Sequence, residues 1–152
     1  MRKNLGITLI ELLTVVAIVA ILLLVAIPSF NDSIARRRLE GIANELNADL
    51  QYARTQAISN NAAVSLVATA TGYTIGTYKT IALASNCSLA AVSPATLPLT
   101  ITFEANRGTA NADSFLLLSC SQTTATLQVV TSSLGRVQLC SPSGSFGGYT
   151  TC

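Results

Sequence analysis

The chain has 152 residues, of which 50% are hydrophobic and only 11% are charged, with a formal net charge of +2 and no histidine. The length suits one domain plus a short further segment, and the nearly neutral balance gives no strong case for nucleic acid, which usually meets a clustered basic face. Because no base is evident to activate its many Ser and Thr hydroxyls, we expect neither an enzyme nor a cofactor or metal site.

Residues 7–27 form an apolar run that is interrupted only by Thr8, Glu11 and Thr14. A run of this length can cross a bilayer core of about 30 Å as a helix. A secretory signal peptide would have a shorter apolar core and a small-residue cleavage site. A plain signal anchor fits the length and the basic residues before the run. It does not explain Glu11, since a carboxylate in an apolar span costs about 2.5–3.5 kcal/mol and usually marks a partner or a function.

A third interpretation rests on the first thirteen residues, MRKNLG followed by ITLIELL. They resemble the class III signal of type IV pilins and type II secretion pseudopilins, although the family usually has Phe where this chain has Ile7. The resemblance implies that a prepilin peptidase removes the leader, residues 1–6, by cutting after Gly6. It also implies that the new N-terminal residue, Ile7, is then methylated.

The same resemblance gives roles to Glu11 and Pro28. Glu11 becomes the fifth residue of the mature chain, where the family carries a glutamate for subunit assembly. The cationic amine of Ile7 and the Glu11 carboxylate are each costly in lipid, but they neutralise each other when they pair between neighbouring subunits. The alternative is that Glu11 reaches the membrane interface without a partner. Pro28 lies where the family has a helix kink, and proline should bend the helix without ending it.

Residues 7–28 are thus predicted to be a membrane-spanning, filament-core helix, and residues 29–61 its amphipathic continuation. Apolar residues recur at steps of three and four, which predicts one helix to about Ser59 with a stop at Asn60 and Asn61. The stripe consists of Leu39, Ile42, Leu46, Leu50, Ala53 and Ala57, whereas Glu40, Glu45 and Asp49 are assigned largely to other faces. The basic run 36–38 is interpreted as a solvated face, or alternatively as a grip on lipid headgroups or nucleic acid.

From residue 62 onward the pattern changes to short β-strands separated by turn residues. The predicted strands are 64–67, 73–78, 99–103, 115–118, 126–130 and 136–139. The sequence therefore predicts an α+β fold, in which a long N-terminal helix packs on a C-terminal antiparallel sheet or sandwich head, residues 62–152. Residues 82–97 are interpreted as a long loop.

All four cysteines, Cys87, Cys120, Cys140 and Cys152, follow the apolar run. No CxxC pair is present, so a zinc site would need all four thiolates without the usual paired spacing. An even count beyond a membrane span favours two disulfides in an oxidising compartment. Three connectivities are possible; we favour Cys87–Cys120 with Cys140–Cys152. Free buried thiols are the alternative.

A second resemblance concerns residues 48–61 and 64–66, together with 101–103 and 133–140. These segments are similar to the GspH/FimT group of minor pilins and pseudopilins. The resemblance implies a single-pass protein of the bacterial inner membrane with its head in the periplasm. Its expected partners are other pilins in a filament or tip complex, the prepilin peptidase and the inner-membrane assembly platform. It would initiate or cap a type IV pilus or a type II secretion pseudopilus.

Within that group, two arginines receive different interpretations. Arg54 is expected to be structural, with its stem on apolar surface and its guanidinium on backbone carbonyls. The second hypothesis for function is DNA capture, because some FimT-type minor pilins bind DNA through Gly-Arg-x-Arg near the C-terminus. Here that stretch is 135–138, with Arg136 as the possible DNA contact and Gln138 at the second basic position. A single arginine can give only weak, salt-sensitive binding.

Overall fold

The computed structural model describes residues 8–142, 144 and 146–152, without the side chains of residues 25–29. The chain divides into two compact units, Met1–Ile34 and Ala35–Cys152. Helix α1 spans Leu9–Ser59 and is continuous through Pro28, where the predicted bend stays a prediction. Among the described residues, no helix holds a stretch long and apolar enough to cross a membrane. Gly6 and Ile7 lie outside the described residues.

Helix α1 ends where the sequence predicts. Asn61 adopts a left-handed conformation with φ of 47°. The Ala62 N–H donates to the Ala57 carbonyl at 3.2 Å, and the Asn61 N–H donates to Ile58 at 3.3 Å. These two bonds are those of a Schellman motif, in which a residue that tolerates positive φ ends the helix and satisfies its last carbonyls. The predicted stop at Asn60 and Asn61 is therefore confirmed.

The second unit contains eight strands in two antiparallel sheets of four. They are β1 (Val64–Thr69), β2 (Gly72–Ile75), β3 (Lys79–Ala82), β4 (Cys87–Ser93), β5 (Leu99–Phe103), β6 (Ser114–Cys120), β7 (Thr126–Thr131) and β8 (Val137–Cys140). Sheet A has the order β3-β2-β1-β5, and sheet B has the order β4-β6-β7-β8. All six predicted strands are present, and the predicted α+β fold of one long helix with an antiparallel β head is confirmed.

The interpretation of residues 82–97 as a long loop is wrong, because strand β4 occupies Cys87–Ser93 and pairs with β6 along its length. Strand β4 consists of small residues, apart from Leu89 and Val92, and such residues carry little β propensity. Its pairing partner, not its own composition, makes it a strand. The predicted strand 73–78 also ends early at Ile75, since Gly76 has φ of +45° and begins a turn.

The core forms where the apolar stripe of α1 meets the inner faces of the strands. On the helix, Leu39, Leu46, Leu50, Ala53 and Ala57 have no exposed surface, and Ile42 is partly buried. Their partners on the sheets include Leu66, Ile75, Ile101, Phe103, Leu116, Leu118, Leu127 and Val129. The predicted stripe is therefore confirmed as the face that holds the helix to the head, and apolar burial at about 25 cal/mol per Å² stabilises the contact.

Candidate assembly site

The N-terminal part of α1 presents an apolar surface. Every residue from 8 to 24 is exposed in the single chain. The large side chains among them range from 46% exposed at Val19 to 77% at Leu9. Soluble monomers rarely expose contiguous apolar surface of this extent, so it marks contact with other proteins or with a membrane.

Glu11 is the one charged residue in this surface, and it lies in the first turn of α1. Its N–H donates to Thr8 Oγ1 at 3.4 Å, and the Thr14 hydroxyl donates to the Glu11 carbonyl at 2.8 Å. Thr8 thus caps the helix at the spacing of a capping box, Thr-x-x-Glu. Both threonine hydroxyls of the apolar run form hydrogen bonds with the backbone of Glu11, which leaves the Glu11 carboxylate as the one ionisable group of this surface. The Thr-x-x-Glu spacing of Thr8 and Glu11 is visible in the sequence, but the sequence interpretation gave Glu11 only a role in subunit assembly.

A second polar cluster joins α1 to sheet A. Asp49 is buried, with 8% of its surface exposed, so its assignment to a face away from the core is wrong. Its carboxylate accepts a hydrogen bond from the Tyr73 hydroxyl at 2.8 Å and from Lys79 Nζ at 2.8 and 3.1 Å. Lys79 also contacts Glu45 at 3.0 Å. A buried carboxylate needs such partners to offset its desolvation.

The cluster shifts two ionisation equilibria. Burial, followed by the hydrogen bond to Asp49 and the charges of Asp49 and Glu45, raises the pKa of the Tyr73 hydroxyl. Hydrogen bonds to Asp49 and then Glu45 raise the pKa of Lys79. For both groups the folded state holds the proton more tightly than the unfolded chain. Their contribution to stability is therefore complete below an unfolded pKa of about 10 and is lost as the pH rises beyond it.

This sign gives a pH prediction. The free energy of unfolding of the native chain should be flat near neutral pH and fall above about pH 10. Tyr73→Phe should cost about 1 kcal/mol at pH 7, because it removes one hydrogen bond. The variant should also lose stability less steeply above pH 10, because only Lys79 of this pair still titrates. Urea unfolding midpoints from pH 7 to 11 measure both effects, and an unchanged alkaline slope in Tyr73→Phe would contradict the assignment.

Arg54 has the structural role expected of it. Its Nε donates to the Gly108 carbonyl at 3.0 Å. Gly108 and Gly135 are both buried at this junction, and both have positive φ, of 62° and 77°. A Cβ on Gly135 would lie 1.9 Å from the Gly108 oxygen and 2.9 Å from Arg54 Nε. The loops that contain Gly108 and Gly135 therefore meet the end of α1 at Arg54, and this junction has no room for a side chain at Gly135.

Gly135→Ala should accordingly destabilise the head by at least about 2 kcal/mol, through its positive φ and its clash with the Gly108 carbonyl. Gly144→Ala is a matched control, because Gly144 has φ of +61° but nothing lies within 4 Å of the added Cβ. The control should show only the backbone cost, about 1 kcal/mol. Equal losses in the two variants, measured by urea unfolding, would show that the junction is not tightly packed.

Both favoured disulfides are present, Cys87–Cys120 and Cys140–Cys152. The second holds the C-terminal segment against strand β8, where the Ser141 N–H donates to the Thr150 carbonyl at 2.9 Å. In the same segment the Tyr149 hydroxyl donates to Glu40 Oε1 on α1 at 2.9 Å. The C-terminal segment is therefore fastened to both the sheet and the helix.

The geometry does not favour the DNA-binding hypothesis. In the amide orientation that satisfies its neighbours, Gln138 accepts hydrogen bonds from the Arg136 guanidinium at 2.6 and 3.2 Å. In the basic run 36–38, Arg38 Nη1 donates a hydrogen bond to Asn86 Oδ1 at 3.4 Å. The described side-chain contact of Arg136 is therefore with Gln138 of the same chain, whereas DNA binding usually requires several basic residues together.

An exposed apolar N-terminal helix and a disulfide-bonded α+β head define a pilin-like subunit. The family model for type II transport protein GspH matches residues 43–135, and the prokaryotic N-terminal methylation motif matches residues 1–27. The chain belongs to the GspH family, within the wider group of type IV pilins and pseudopilins, and functions as a minor pilin or pseudopilin. Members of this group are structural subunits that assemble into filaments with other pilins. The methylation motif marks a processed, membrane-anchored pilin.

The fold is also similar to that of a solved minor pilin. Two crystal structures of the type IV minor pilin FimU of Pseudomonas aeruginosa share 28% sequence identity with this chain. The first covers 71% of this chain and 92% of FimU, with a TM-score of 0.60. The second covers 69% and 94%, with a TM-score of 0.53. No curated protein matches the sequence.

Proposed function

We propose that the chain initiates or caps a filament, either a type IV pilus or a type II secretion pseudopilus, as a subunit anchored in the bacterial inner membrane. Residues 7–28 are the anchor, and the head lies in the periplasm. The observation that carries this proposal is the combination of a methylation motif in residues 1–27 with a GspH-type head in residues 43–135. The role is structural, with no catalytic step and no cofactor.

Maturation creates the assembly site. The prepilin peptidase cuts after Gly6, and the amine of Ile7 is methylated and stays cationic. This amine pairs with the Glu11 carboxylate of a neighbouring subunit, because each charge alone would be costly in a lipid environment. The exposed apolar residues 9–24 then pack against the same segment of that neighbour. The contact is head-to-tail, so it propagates as a helix instead of closing into a ring.

Assembly also requires that the processed subunit leave the membrane. The inner-membrane assembly platform would transfer the processed subunit from the bilayer to the filament. Both environments must therefore accept the same apolar surface, and residues 9–24 suit both, since Glu11 is their one charge. Transfer from lipid to a bundle of similar helices changes the exposure of the apolar side chains only slightly. The pairing of the Glu11 carboxylate can therefore determine the axial position of the subunit in the filament.

Mass spectrometry of the membrane-extracted protein tests the proposal. The native chain should begin with a methylated Ile7, and a Gly6→Val variant should retain the leader because a bulky residue replaces the glycine at the cut. An intact Met1 terminus on the native chain, in cells that process other pilins, would contradict the proposal.

A further inference from the structure

Two exposed tyrosines meet beside the C-terminal end of helix α1. Tyr52 lies on the helix and is 43% exposed, and Tyr78 lies in the turn between β2 and β3 and is 50% exposed. Their ring centroids are 6.4 Å apart, and the ring planes are nearly perpendicular, at 89°. The chain has only four Tyr, four Phe and no Trp. Two of its few aromatic rings are therefore placed together on the surface of the head and not in its core.

The Tyr78 ring is oriented by its neighbours without being buried. Its hydroxyl accepts a hydrogen bond from Asn60 Nδ2 at 3.3 Å. One edge of the ring lies beside Gly76, where an added Cβ would be 3.5 Å from Tyr78 Cδ2. The Tyr52 ring contacts it from the helix. These contacts hold a half-exposed ring in one orientation, and such preorganisation lowers the entropic cost of binding a ligand.

Unused hydrogen-bonding groups lie next to the two rings. Asn60 Nδ2 also donates to Gln56 Oε1 at 3.0 Å, so both N–H groups of the Asn60 amide are occupied. Among the described residues, the Asn60 Oδ1 oxygen, the Gln56 NH2 group and the Tyr78 hydroxyl hydrogen have no partner. The edge of the aromatic pair therefore offers a ligand both hydrogen-bond donors and acceptors.

The charges beside the pair favour an uncharged ligand. Asp49 lies one helical turn before Tyr52, and Lys79 directly follows Tyr78. Lys79 Nζ contacts Asp49 at 2.8 Å and Glu45 at 3.0 Å, so two carboxylates and one ammonium leave a net charge of −1. Nucleic acid and anionic lipid would meet this negative charge, and the one ammonium is already paired. A cationic ligand would find both carboxylates already paired as well.

A sugar is an uncharged ligand that matches both the rings and the amides. In β-linked glucose-type sugars the hydroxyls are equatorial, so each face of the sugar ring consists of C–H groups that pack on the electron-rich face of an aromatic ring. The hydroxyls at its edge each donate and accept hydrogen bonds. Proline-rich peptides are the uncharged alternative, but they dock in grooves lined by aromatic residues. Two perpendicular rings form no parallel-sided slot, so the geometry favours a sugar.

We propose that Tyr52 and Tyr78 bind an uncharged β-linked oligosaccharide, with one sugar ring packed on the aromatic pair and its hydroxyls hydrogen-bonded to Gln56 and Asn60. Polymers of glucose and of N-acetylglucosamine share this chemistry. The site gives the head a binding function that goes beyond filament assembly, because its residues lie outside the apolar segment 9–24.

Isothermal titration calorimetry of the full chain, in a detergent without a sugar headgroup, tests this site. Cellohexaose and chitohexaose are the probes, and at least one should bind with a Kd of about 1 mM or lower. Tyr52→Ala and Tyr78→Ala should each weaken that binding by about tenfold or more, because each removes a ring. Ile58→Ala is the matched control and should change nothing, since Ile58 is 47% exposed on the same helix but faces Gly108.

A conservative pair of variants separates the ring from its hydroxyl. Tyr78→Phe keeps the ring and loses the Asn60 bond, so it should weaken binding by only about threefold. Tyr149→Phe makes the same change where the hydroxyl donates to Glu40, and it should have no effect.

Three results would overturn the inference. They are the absence of binding by both sugars, binding that survives in folded Tyr52→Ala and Tyr78→Ala chains, and tighter binding of an oligothymidylate or a proline-rich peptide at these tyrosines. Thermal unfolding shows which variants are folded. If the alanine variants are not, Tyr78→Phe decides, and unchanged sugar binding in that variant overturns the inference.

Discussion

Glu11→Gln is expected to lower incorporation of the chain into filaments by at least about a hundredfold, because breaking a buried ion pair costs about 3–5 kcal/mol. The substitution keeps the size of the side chain and removes only its charge, so the Ile7 amine of the neighbouring subunit would lose its counter-ion. Processing should be unaffected, since the leader and Gly6 are unchanged. Filaments sheared from the cells and probed for this chain give the incorporated fraction, and the membrane fraction gives the amount of mature subunit.

The capping arrangement at Thr8 supplies a matched control. Glutamine can occupy the fourth position of a capping box as well as glutamate, so Glu11→Gln preserves the helix cap. Thr8→Ala does the reverse, because it removes the cap and retains the charge; it should cost about 1 kcal/mol of helix stability and leave assembly largely intact. If Glu11→Gln assembled normally while Thr8→Ala did not, the role of Glu11 would be helix capping and the charge-pairing model would be wrong.

Local patterns in the sequence were sufficient to predict the helix and most strands. The stripe from Leu39 to Ala57 repeats at helical spacing, and its burial requires only that a sheet lie opposite. Asn61 ends the helix because asparagine tolerates positive φ. Six strands contain enough β-branched and aromatic residues to be recognised. Strand β4 could not be recognised in this way, since its small residues become a strand only when β6, about 30 residues later, supplies the hydrogen bonds.

The polar contacts of the head were harder to predict than the helix and the strands. Helical spacing places Asp49 at the edge of the apolar stripe, but its burial depends on Tyr73 and Lys79, which lie 24 and 30 residues away. Likewise, Gln138 appeared only as the missing second arginine of a DNA-binding motif. The structure instead makes it the acceptor of two hydrogen bonds from the Arg136 guanidinium. Tertiary neighbours determine the burial of Asp49, which a single sequence does not specify, whereas the Gln138–Arg136 contact joins residues only two apart in the chain.

Removing the Cys87–Cys120 disulfide is expected to have the largest effect on stability. The two cysteines are 33 residues apart, and the chain-entropy model gives about 4 kcal/mol for a loop of that length. The free energy of unfolding of small domains is only about 5–15 kcal/mol. The Cys87→Ala/Cys120→Ala variant should therefore stay folded, but with a small free energy of unfolding. The disulfide also joins directly paired residues of β4 and β6. Because β4 has few large apolar residues of its own, we expect its amides to lose hydrogen-exchange protection first.

The second disulfide provides the comparison. Cys140 and Cys152 are 12 residues apart, which corresponds to about 3 kcal/mol in the same model. Cys140→Ala/Cys152→Ala should therefore cost less and act locally, by releasing Phe146 and Tyr149 from the head while β4 stays protected. Urea unfolding of the full chain in detergent, followed by tyrosine fluorescence, measures both losses, since the chain has four Tyr and no Trp. A larger loss from the shorter loop would show that packing of the C-terminal segment, and not loop closure, dominates the stability of the head.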